Sequence, residues 1–249
     1  MSVRVGLIGF GTVGQAVTRV LSRSHQDRLC LARVCTRPGG RSRPPWLPRD
    51  IGWTDAFDTL LAPDIDVVVE LVGGVAPAGT WIRRALEAGK SVVTANKQLI
   101  AESGPELLAL AARQRRQLRF EGAVAGGVPV IRAVQDGLAG DRLVRITGVL
   151  NGTCNYILTR IEAAGLPFAA ALAEAQALGY AEADPSADVE GFDARAKLAI
   201  LCAIGLGVWV NPRDIPCASI AGLGPDDFRD ARVAGCTIRQ VSRAERSVG

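Results

Sequence analysis

One acid and one lysine of this chain are spaced to meet on the apolar side of a helix. Asp193 and Lys197 lie four residues apart, and at 3.6 residues per turn they share a stripe with apolar residues further along the segment. These are Ile200, Leu201 and Ile204. On a solvent-facing side such a pair would be a surface bridge worth about 0.2–0.5 kcal/mol. On the apolar side both charges must leave water, so the pattern favours a site where the lysine exchanges a proton with a substrate oxygen.

A second lysine and a group of acids are further candidates. Lys97 ends the segment SVVTANK, at the carboxyl end of a predicted strand, where open α/β sheets bind ligands; an ordinary surface lysine is the alternative. The segment 179–185, GYAEADP, combines a glycine, an Asp-Pro turn and the carboxylate of Glu182. Acids near a lysine suit a substrate that carries an ammonium group of its own. The single histidine, His25, is predicted at the surface and is a poor rival for the proton role.

A glycine-rich turn predicts where a nucleotide would bind. Gly9, Gly11 and Gly14 form a G-x-G-x-x-G directly after a predicted strand and at the start of a predicted helix, which is the context that this fingerprint requires. The first glycine permits a tight turn, the second lets a pyrophosphate approach the backbone, and the third lets the helix pack on the strand. The helix N-terminus then offers free N–H groups to the phosphates. The alternative is a glycine-rich turn without a ligand.

The end of the second predicted strand indicates which nicotinamide cofactor would fit. NAD enzymes usually place an acid there for the ribose 2′-hydroxyl. This chain instead has Cys35, Thr36 and Arg37, with Arg41 and Arg43 close behind, and we expect that no acid is available to repel a 2′-phosphate. The pattern favours NADP over NAD, and a solvated basic loop is the alternative.

Strands and helices alternate through the first half of the chain, which predicts a parallel sheet covered by helices. We therefore predict an α/β fold, with an N-terminal Rossmann dinucleotide-binding domain over 1–128 and a partial α+β substrate and dimerisation domain over 129–249. The predicted strands of the first domain are 3–8, 29–34, 65–71, 91–94 and 117–120, and its helices are 12–21, 80–88 and 105–115. Beyond it we predict a helix over 130–138, a strand over 143–150, mostly helix over 154–205, and a frayed polar tail over 239–249.

Composition excludes several classes of protein. With 48% hydrophobic and 22% charged residues, the chain is neither disordered nor fibrous. The net charge of +4 comes from scattered basic residues without interleaved aromatics, so nucleic acid is not an expected partner. No apolar run is long enough to span a bilayer and no signal peptide is recognisable, so we expect a cytoplasmic protein. The six cysteines form no C-x-x-C pair, which predicts buried free thiols and makes a structural zinc site improbable.

Long segments of the chain resemble homoserine dehydrogenase. The matching stretches are GLIGFGTVG (6–14), VVVELVGG (67–74), VVTANK (92–97), FEGAVAGGVP (120–129), GVLNGTCNYILT (148–159) and AQALGYAEADPSADVEGFDARAKLAIL (175–201), with a weaker match to about residue 240. The resemblance implies an enzyme that interconverts homoserine and aspartate 4-semialdehyde with NAD or NADP, in the biosynthesis of threonine, methionine and isoleucine.

The resemblance also implies roles for individual residues. Lys197 would exchange a proton at the reacting oxygen, Glu182 and Asp193 would bind the substrate, chiefly through its ammonium group, and Lys97 would lie between the nicotinamide and the substrate. The implied dinucleotide contacts are Phe10, Thr12, Val13 and Gly179. The segment 120–129 resembles the family's monovalent-cation loop, in which a sodium ion would be held by Glu121 and by the backbone carbonyls of Val124, Gly126 and Val128.

The chain departs from the family pattern at its C-terminal end. Family members normally continue past this point, complete the sheet of the substrate domain and return to the dinucleotide domain. Three hypotheses therefore stay open. The chain could be an active homoserine dehydrogenase, forming a homodimer as the family does, or a related dehydrogenase of another small amino-acid aldehyde or ketone. The third is a shortened homologue that binds nucleotide or a partner without catalysis.

Overall fold

The computed structural model describes residues 2–24 and 28–246. His25, for which a surface position is predicted, lies outside the described residues. The chain divides into two compact units, 1–130 and 131–249. Whether these units fold as the domains predicted over 1–128 and 129–249 stays a prediction.

The first unit is built on a six-stranded parallel sheet in the order β3-β2-β1-β4-β5-β6. Its strands are β1 (Val3–Ile8), β2 (Leu29–Cys35), β3 (Gly52–Thr54), β4 (Val67–Glu70), β5 (Ser91–Thr94) and β6 (Leu118–Arg119), and its helices are α1 (Thr12–Ser24), α2 (Ala78–Glu87) and α3 (Lys97–Arg113). The strand order changes direction between β1 and β4, and open α/β sheets bind ligands at such a switch point. The predicted α/β class with a Rossmann-type sheet is confirmed.

Helix α3 begins eight residues before the predicted start at Pro105. The side chain of Asn96 caps it by accepting a hydrogen bond from the backbone N–H of Leu99 at 3.2 Å. Pro105 lies inside the helix on its exposed side, while Leu99, Leu107 and Leu110 are buried. The prediction was wrong because packing of the buried side outweighs the one backbone hydrogen bond that a proline removes. As a result, Lys97 is the first helical residue rather than part of a loop.

The second unit is mostly helical and carries a two-stranded antiparallel sheet. Its strands are β7 (Arg145–Gly148) and β8 (Ser242–Glu245), and its helices are α4 (Val130–Arg132), α5 (Gly152–Ala164), α6 (Phe168–Ala177), α7 (Ser186–Val189), α8 (Phe192–Leu201) and α9 (Pro225–Val233), where α4 begins at the last residue of the first unit. Helices α4 and α8 continue into π-helical turns. The packed core between α5 and α6 places α5 beside the segment that leads into α8.

The C-terminal segment contains a strand where a frayed tail was predicted. β8 pairs with β7, and Arg145 lies 3.0 Å from Glu245 in an ion pair across the two strands. Ala244 packs against the cluster formed by Leu198, Cys202 and Leu206. A polar strand that alternates half-buried and exposed residues resembles a loop in sequence, and it is stabilised by its cross-strand partner and by the packing of Ala244.

The cysteines correct one further expectation. All six thiols are free, but Cys217 and Cys236 are exposed, so the prediction of buried thiols was wrong for these two.

Over residues 2–24 and 28–246 we find no helix with both the length and the apolar character needed to cross a membrane.

Candidate functional site

The glycine turn after β1 is too tight for side chains at two of its three glycines. Gly9 has a φ of +99°, and a Cβ there would lie 2.7 Å from the backbone of Leu71. A Cβ on Gly14 would lie 2.0 Å from the carbonyl oxygen of Gly9. A Cβ on Gly11 would meet nothing within 4 Å. The turn therefore packs tightly on the sheet, while Gly11 borders open space at the N-terminus of α1, where the free N–H groups of a first helical turn can hold a phosphate.

A cavity of about 340 Å³ opens beside this turn within the first unit. Its wall combines the glycine turn, the end of β2 and the residues that follow β4. Residues from these three segments are Gly9, Phe10, Gly11, Cys35, Thr36, Arg37, Leu71 and Val72. The ring of Phe10 is also part of the core and meets the ring of Trp53 edge-on at 4.9 Å. Thr12 and Val13 are exposed in the first turn of α1.

The basic residues after β2 do not all face this cavity. Arg37 and Arg41 line it, whereas Arg43 donates hydrogen bonds to the carbonyls of Ile51, at 2.7 Å, and Pro48. Asp55 lines the cavity as well. Our expectation that no acid is available to repel a 2′-phosphate was therefore wrong.

The position of Asp55 follows from the pairing of β2 with β3. In the parallel register, Thr54 lies opposite Cys35, so the residue after each strand borders the same cavity. Burial, with a smaller contribution from the Asp55 charge, raises the pKa of the Cys35 thiol to about 11. Sequence reasoning missed Asp55 because the three-residue strand β3 was not recognised.

A fully buried carboxylate connects the loops that follow β4 and β5. Glu70 accepts hydrogen bonds from the backbone N–H groups of Val72 and Gly73, at 2.7 and 3.1 Å, and from the hydroxyl of Thr94 at 2.6 Å. The same hydroxyl oxygen accepts a hydrogen bond from the N–H of Asn96 at 3.0 Å. The network fixes the loop that borders the cavity and the turn that precedes Lys97. Sequence analysis did not single out Glu70.

Asn96 and Lys97 stand at the junction between β5 and α3. The Asn96 side chain caps the helix and also donates a hydrogen bond to the carbonyl of Gly74 at 2.6 Å. Lys97 is half-buried in the first turn of α3. A cation there opposes the helix dipole and costs about 0.3–1 kcal/mol, so helix stability does not explain its presence. Whether it has a functional role or is an ordinary surface lysine stays a prediction.

A polar cluster in the second unit contains the predicted acid–lysine pair. The ammonium of Lys197 lies 2.6 Å from Asp193 and donates to the carbonyl of Leu150 at 2.8 Å. The side chain of Asp193 is only 5% exposed and that of Lys197 18%. The Asn151 side chain donates hydrogen bonds to Asp193 at 2.9 Å and to Asp188 at 2.6 Å. The structure therefore adds Asn151 and Asp188 to the predicted pair.

The other predicted substrate and cofactor contacts of the second unit lie between α6 and α7. Gly179, with a φ of +76°, comes directly after Leu178, the C-cap residue of α6. Glu182 is exposed, and its backbone carbonyl accepts a hydrogen bond from the side chain of Gln176 at 3.0 Å. These observations leave the predicted ligand roles of Gly179 and Glu182 as predictions.

The segment with the predicted cation ligands is a compact irregular loop. Glu121 is half-buried and begins a 3-10 turn, Glu121–Ala123. Ala125 and Gly127 have φ values of +50° and +91°, which turn the backbone sharply around Gly126. The carbonyl of Val128 accepts a hydrogen bond from the N–H of Val130 at 2.8 Å, which occupies one of its two lone pairs.

Family models match both halves of the chain. The model described as homoserine dehydrogenase matches residues 129–249, and the model described as its NAD binding domain matches residues 9–121. The homoserine dehydrogenase of Mycobacterium tuberculosis (strain H37Rv) is 44% identical over 98% of this chain and 56% of its own length. That of Bacillus subtilis (strain 168) is 38% identical over 98% of this chain and 58% of its own length. The chain thus spans little more than half the length of these relatives.

Solved structures of the same family share the fold. The homoserine dehydrogenase of Thiobacillus denitrificans superposes with a TM-score of 0.91 at 37% identity, over 99% of this chain and 59% of that one. A hyperthermophilic archaeal homoserine dehydrogenase in complex with NADPH has a TM-score of 0.78 at 25% identity, over 99% of this chain and 79% of that one. A putative homoserine dehydrogenase from Archaeoglobus fulgidus is 34% identical, with a TM-score of 0.87, over 98% of this chain and 81% of its own length. With such a relative covered over most of its length and both family models matched, this chain belongs to the homoserine dehydrogenase family.

Proposed function

We propose that this chain interconverts homoserine and aspartate 4-semialdehyde with a nicotinamide dinucleotide. The observation that carries the proposal is the buried Asp193–Lys197 pair, which lies in the longest segment of family resemblance. A buried ion pair costs desolvation and contributes little to stability, so its presence favours a functional role. Because the chain spans little more than half the length of its curated relatives, the activity of the whole enzyme is part of the proposal.

The side chains of the cluster have distinct roles in this reaction. Lys197 takes the hydroxyl proton when homoserine is oxidised and returns it to the carbonyl oxygen when the aldehyde is reduced. Asp193 and the carbonyl of Leu150 hold its ammonium in position. Glu182 and Asp193 bind the ammonium group of the substrate, and Lys97 is a second catalytic residue. A nicotinamide, when bound, supplies the hydride acceptor or donor.

The pyrophosphate of the dinucleotide is held by the glycine turn of the first unit. The glycine turn fits a pyrophosphate, because Gly11 borders open space and the first N–H groups of α1 are available to it. Phe10, Thr12, Val13 and Gly179 complete the proposed contacts. The relative solved with NADPH supports a nicotinamide cofactor of this kind.

Arg37 and Arg41 favour NADP over NAD, whereas Asp55 opposes a 2′-phosphate. Arg37→Ala is expected to weaken NADPH binding about tenfold, the effect of losing one charge-assisted contact, and to leave NADH binding nearly unchanged. Asp55→Asn should strengthen NADPH binding. Fluorescence titration of both reduced cofactors measures these changes, and equal losses for both cofactors after Arg37→Ala would contradict the assignment.

A sodium ion at the loop of Glu121 is part of the same proposal. Carboxylate and carbonyl oxygens suit a hard cation. Its further ligands, as the family resemblance implies, are the backbone carbonyls of Val124, Gly126 and Val128. The Val128 carbonyl uses one of its two lone pairs for the N–H of Val130, which leaves the second for an ion. A homodimer and a cytoplasmic location, both expected from the sequence analysis, also belong to the proposal.

The decisive experiment removes the cation of the buried pair. Lys197→Met is expected to lower the rate of homoserine oxidation by about 10²–10⁴-fold, the usual contribution of general acid–base catalysis, without loss of cofactor binding. The matched control is Arg229→Met, which removes the cation of an exposed helical pair with Asp226. Wild-type activity in the Lys197 variant would refute the assignment.

The other function left open by the sequence analysis, a homologue that binds nucleotide or a partner without catalysis, is not favoured by the comparisons. If a folded chain bound NADPH but turned over neither homoserine nor aspartate 4-semialdehyde, this non-catalytic function would be supported. Turnover with a different amino-acid aldehyde or ketone in a substrate panel would instead indicate a related dehydrogenase.

A further inference from the structure

Asn151 has two separate tasks in the polar cluster of the second unit. Its side-chain oxygen accepts a hydrogen bond from the N–H of Cys154 at 2.7 Å and so caps helix α5. Its side-chain nitrogen donates one hydrogen bond to Asp188 and one to Asp193. The residue is only 3% exposed, so water does not replace these partners. With the oxygen and both N–H groups used, the orientation of the amide is fixed.

Capping alone does not require asparagine at this position. Serine, threonine and aspartate cap helices about as well, because each offers a side-chain oxygen. Among these residues, only asparagine also supplies two N–H donors. The choice of Asn151 is therefore explained by the two carboxylates that it binds rather than by the helix that it caps.

The oxygen of Asp193 that pairs with Lys197 is the same oxygen that accepts the hydrogen bond from Asn151. When Lys197 gives its proton away, this oxygen no longer faces a positive charge at Lys197. The hydrogen bond from Asn151 remains and keeps the Asp193 carboxylate oriented towards the amine of Lys197. It also withdraws part of the negative charge that would otherwise hold the proton on Lys197.

We propose that Asn151 is a positioning residue that orients Asp188 and Asp193 and sets how readily Lys197 releases its proton. This rests on the proposed function of Lys197 in proton exchange. Lys197 pairs with Asp193 on its own helix, and Asp188 on α7 shares the Asn151 amide with Asp193. The thiol of Cys154 on α5 is a titratable group that feels the charges of all three.

The thiol does not compete for the proton within the range of an assay. Burial raises the pKa of Cys154 to about 12, with smaller contributions from the charges of Asp188 and Asp193. Its sulfur donates to the carbonyl of Asp188 at 3.1 Å and thus stays a neutral donor. The Cys154 thiol therefore adds no titration of its own to the pH range of the experiment.

Asn151→Ser and Asn151→Asp test the proposal, because both residues keep the cap and lose the amide donors. The turnover number for homoserine should fall about tenfold in Asn151→Ser, the cost of one charge-assisted hydrogen bond, with an unchanged KM for the cofactor. The rise of the oxidation rate with pH should move to higher pH, since the less compensated carboxylates hold the Lys197 proton more tightly. Asn151→Asp, which adds a third carboxylate, should show a larger shift.

Asn211→Ser is the matched control. Asn211 is exposed and caps the 3-10 turn Pro212–Asp214 by accepting a hydrogen bond from the N–H of Arg213 at 3.0 Å. This variant should leave both the turnover number and the pH profile unchanged. Circular dichroism verifies that each variant is folded, and Asn151→Thr, which also keeps a cap oxygen and lacks the amide donors, serves if the serine variant does not fold.

A second measurement does not depend on catalysis. Competitive labelling with acetic anhydride, followed by mass spectrometry, gives the pH at which the Lys197 amine becomes reactive, and Lys97 serves as an internal reference. We expect the reactivity of Lys197 to move to higher pH in both Asn151 variants. If the wild type turns over neither substrate, the proposed function fails while the labelling still decides the role of Asn151. Unchanged labelling together with reduced stability would overturn the proposal and leave Asn151 as a helix cap only.

Discussion

Replacing the buried Glu70 is expected to destabilise the first unit markedly. The residue is fully buried and accepts three hydrogen bonds, two from backbone N–H groups and one from Thr94. Glu70→Leu leaves all three donors without their acceptor. A buried unsatisfied polar group costs about 1–3 kcal/mol, and the N–H groups of Val72 and Gly73 are partly buried, so water can recover part of the loss. Glu70→Leu also removes the desolvation cost of the buried carboxylate, which offsets a further part of the loss. The free energy of unfolding should therefore fall by about 3 kcal/mol.

Glu70→Gln should cost less, about 1–2 kcal/mol, because charge-assisted hydrogen bonds become neutral ones. The amide fits in one orientation only. Its oxygen must face the N–H groups of Val72 and Gly73, and its nitrogen must then donate to Thr94. A double-mutant cycle of Glu70→Leu with Thr94→Val should show a coupling energy of about 1 kcal/mol, since Thr94→Val removes one of the donors that Glu70→Leu leaves without an acceptor.

Urea unfolding followed by tryptophan fluorescence measures these changes. Trp46, Trp53 and Trp81 all belong to the first unit, so its unfolding dominates the signal. The control is Glu106→Leu, whose carboxylate is 71% exposed and pairs with Arg83 at the surface, where a change within about 0.5 kcal/mol is expected. If Glu70→Leu and Glu106→Leu lowered the free energy of unfolding equally, the network around Glu70 would not stabilise the unit and the reasoning would be refuted.

Two further predictions concern the glycine turn and the thiols. Gly14→Ala places a Cβ 2.0 Å from the carbonyl oxygen of Gly9 and must displace the turn, so NADPH affinity should fall more than about tenfold, while Gly222→Ala, where a Cβ would meet nothing within 4 Å, should not change it. Burial raises the pKa of Cys35 to about 11 and that of Cys154 to about 12, from 9.0. The unfolded chain therefore loses these protons first, and the free energy of unfolding should fall as pH rises from 9 towards 12. Cys154→Ala should flatten this fall in urea titrations at several pH values, and an unchanged slope would contradict the effect of burial.

Elements bounded by strong local signals could be predicted from the sequence. β1 and β5 have the predicted bounds, because each is a short run rich in β-branched residues that ends at a turn residue or a helix cap. The glycine turn is equally local, since its function depends on backbone conformations that Gly9 and Gly14 alone determine. The pair of Asp193 and Lys197 was predicted from helical periodicity, because four residues bring two side chains to one side of a helix.

Features that depend on pairing between distant segments could not be predicted. Asp55 borders the nucleotide cavity only because β3 pairs with β2, and three residues carry too weak a pattern to reveal that strand. Glu70 acquires its role from Thr94 on the neighbouring strand. β8 exists because β7 is present beside it. In each case the deciding partner lies nineteen or more positions away, beyond the reach of propensity and periodicity.

In both units an asparagine caps a helix and also donates hydrogen bonds to a second segment. Asn96 caps α3 with its side-chain oxygen and donates its N–H to the carbonyl of Gly74, and Asn151 caps α5 and donates to two carboxylates. Sequence propensity explains an N-cap residue at either position but treats serine, aspartate and asparagine as nearly equal. The amide is required because its N–H groups also hydrogen-bond to a second segment of the chain. In both units these hydrogen bonds lie beside a lysine for which we propose a catalytic role. Losing the cap would be expected to change stability, whereas losing only the amide donors should change the position of Lys97 or Lys197 and therefore the reaction.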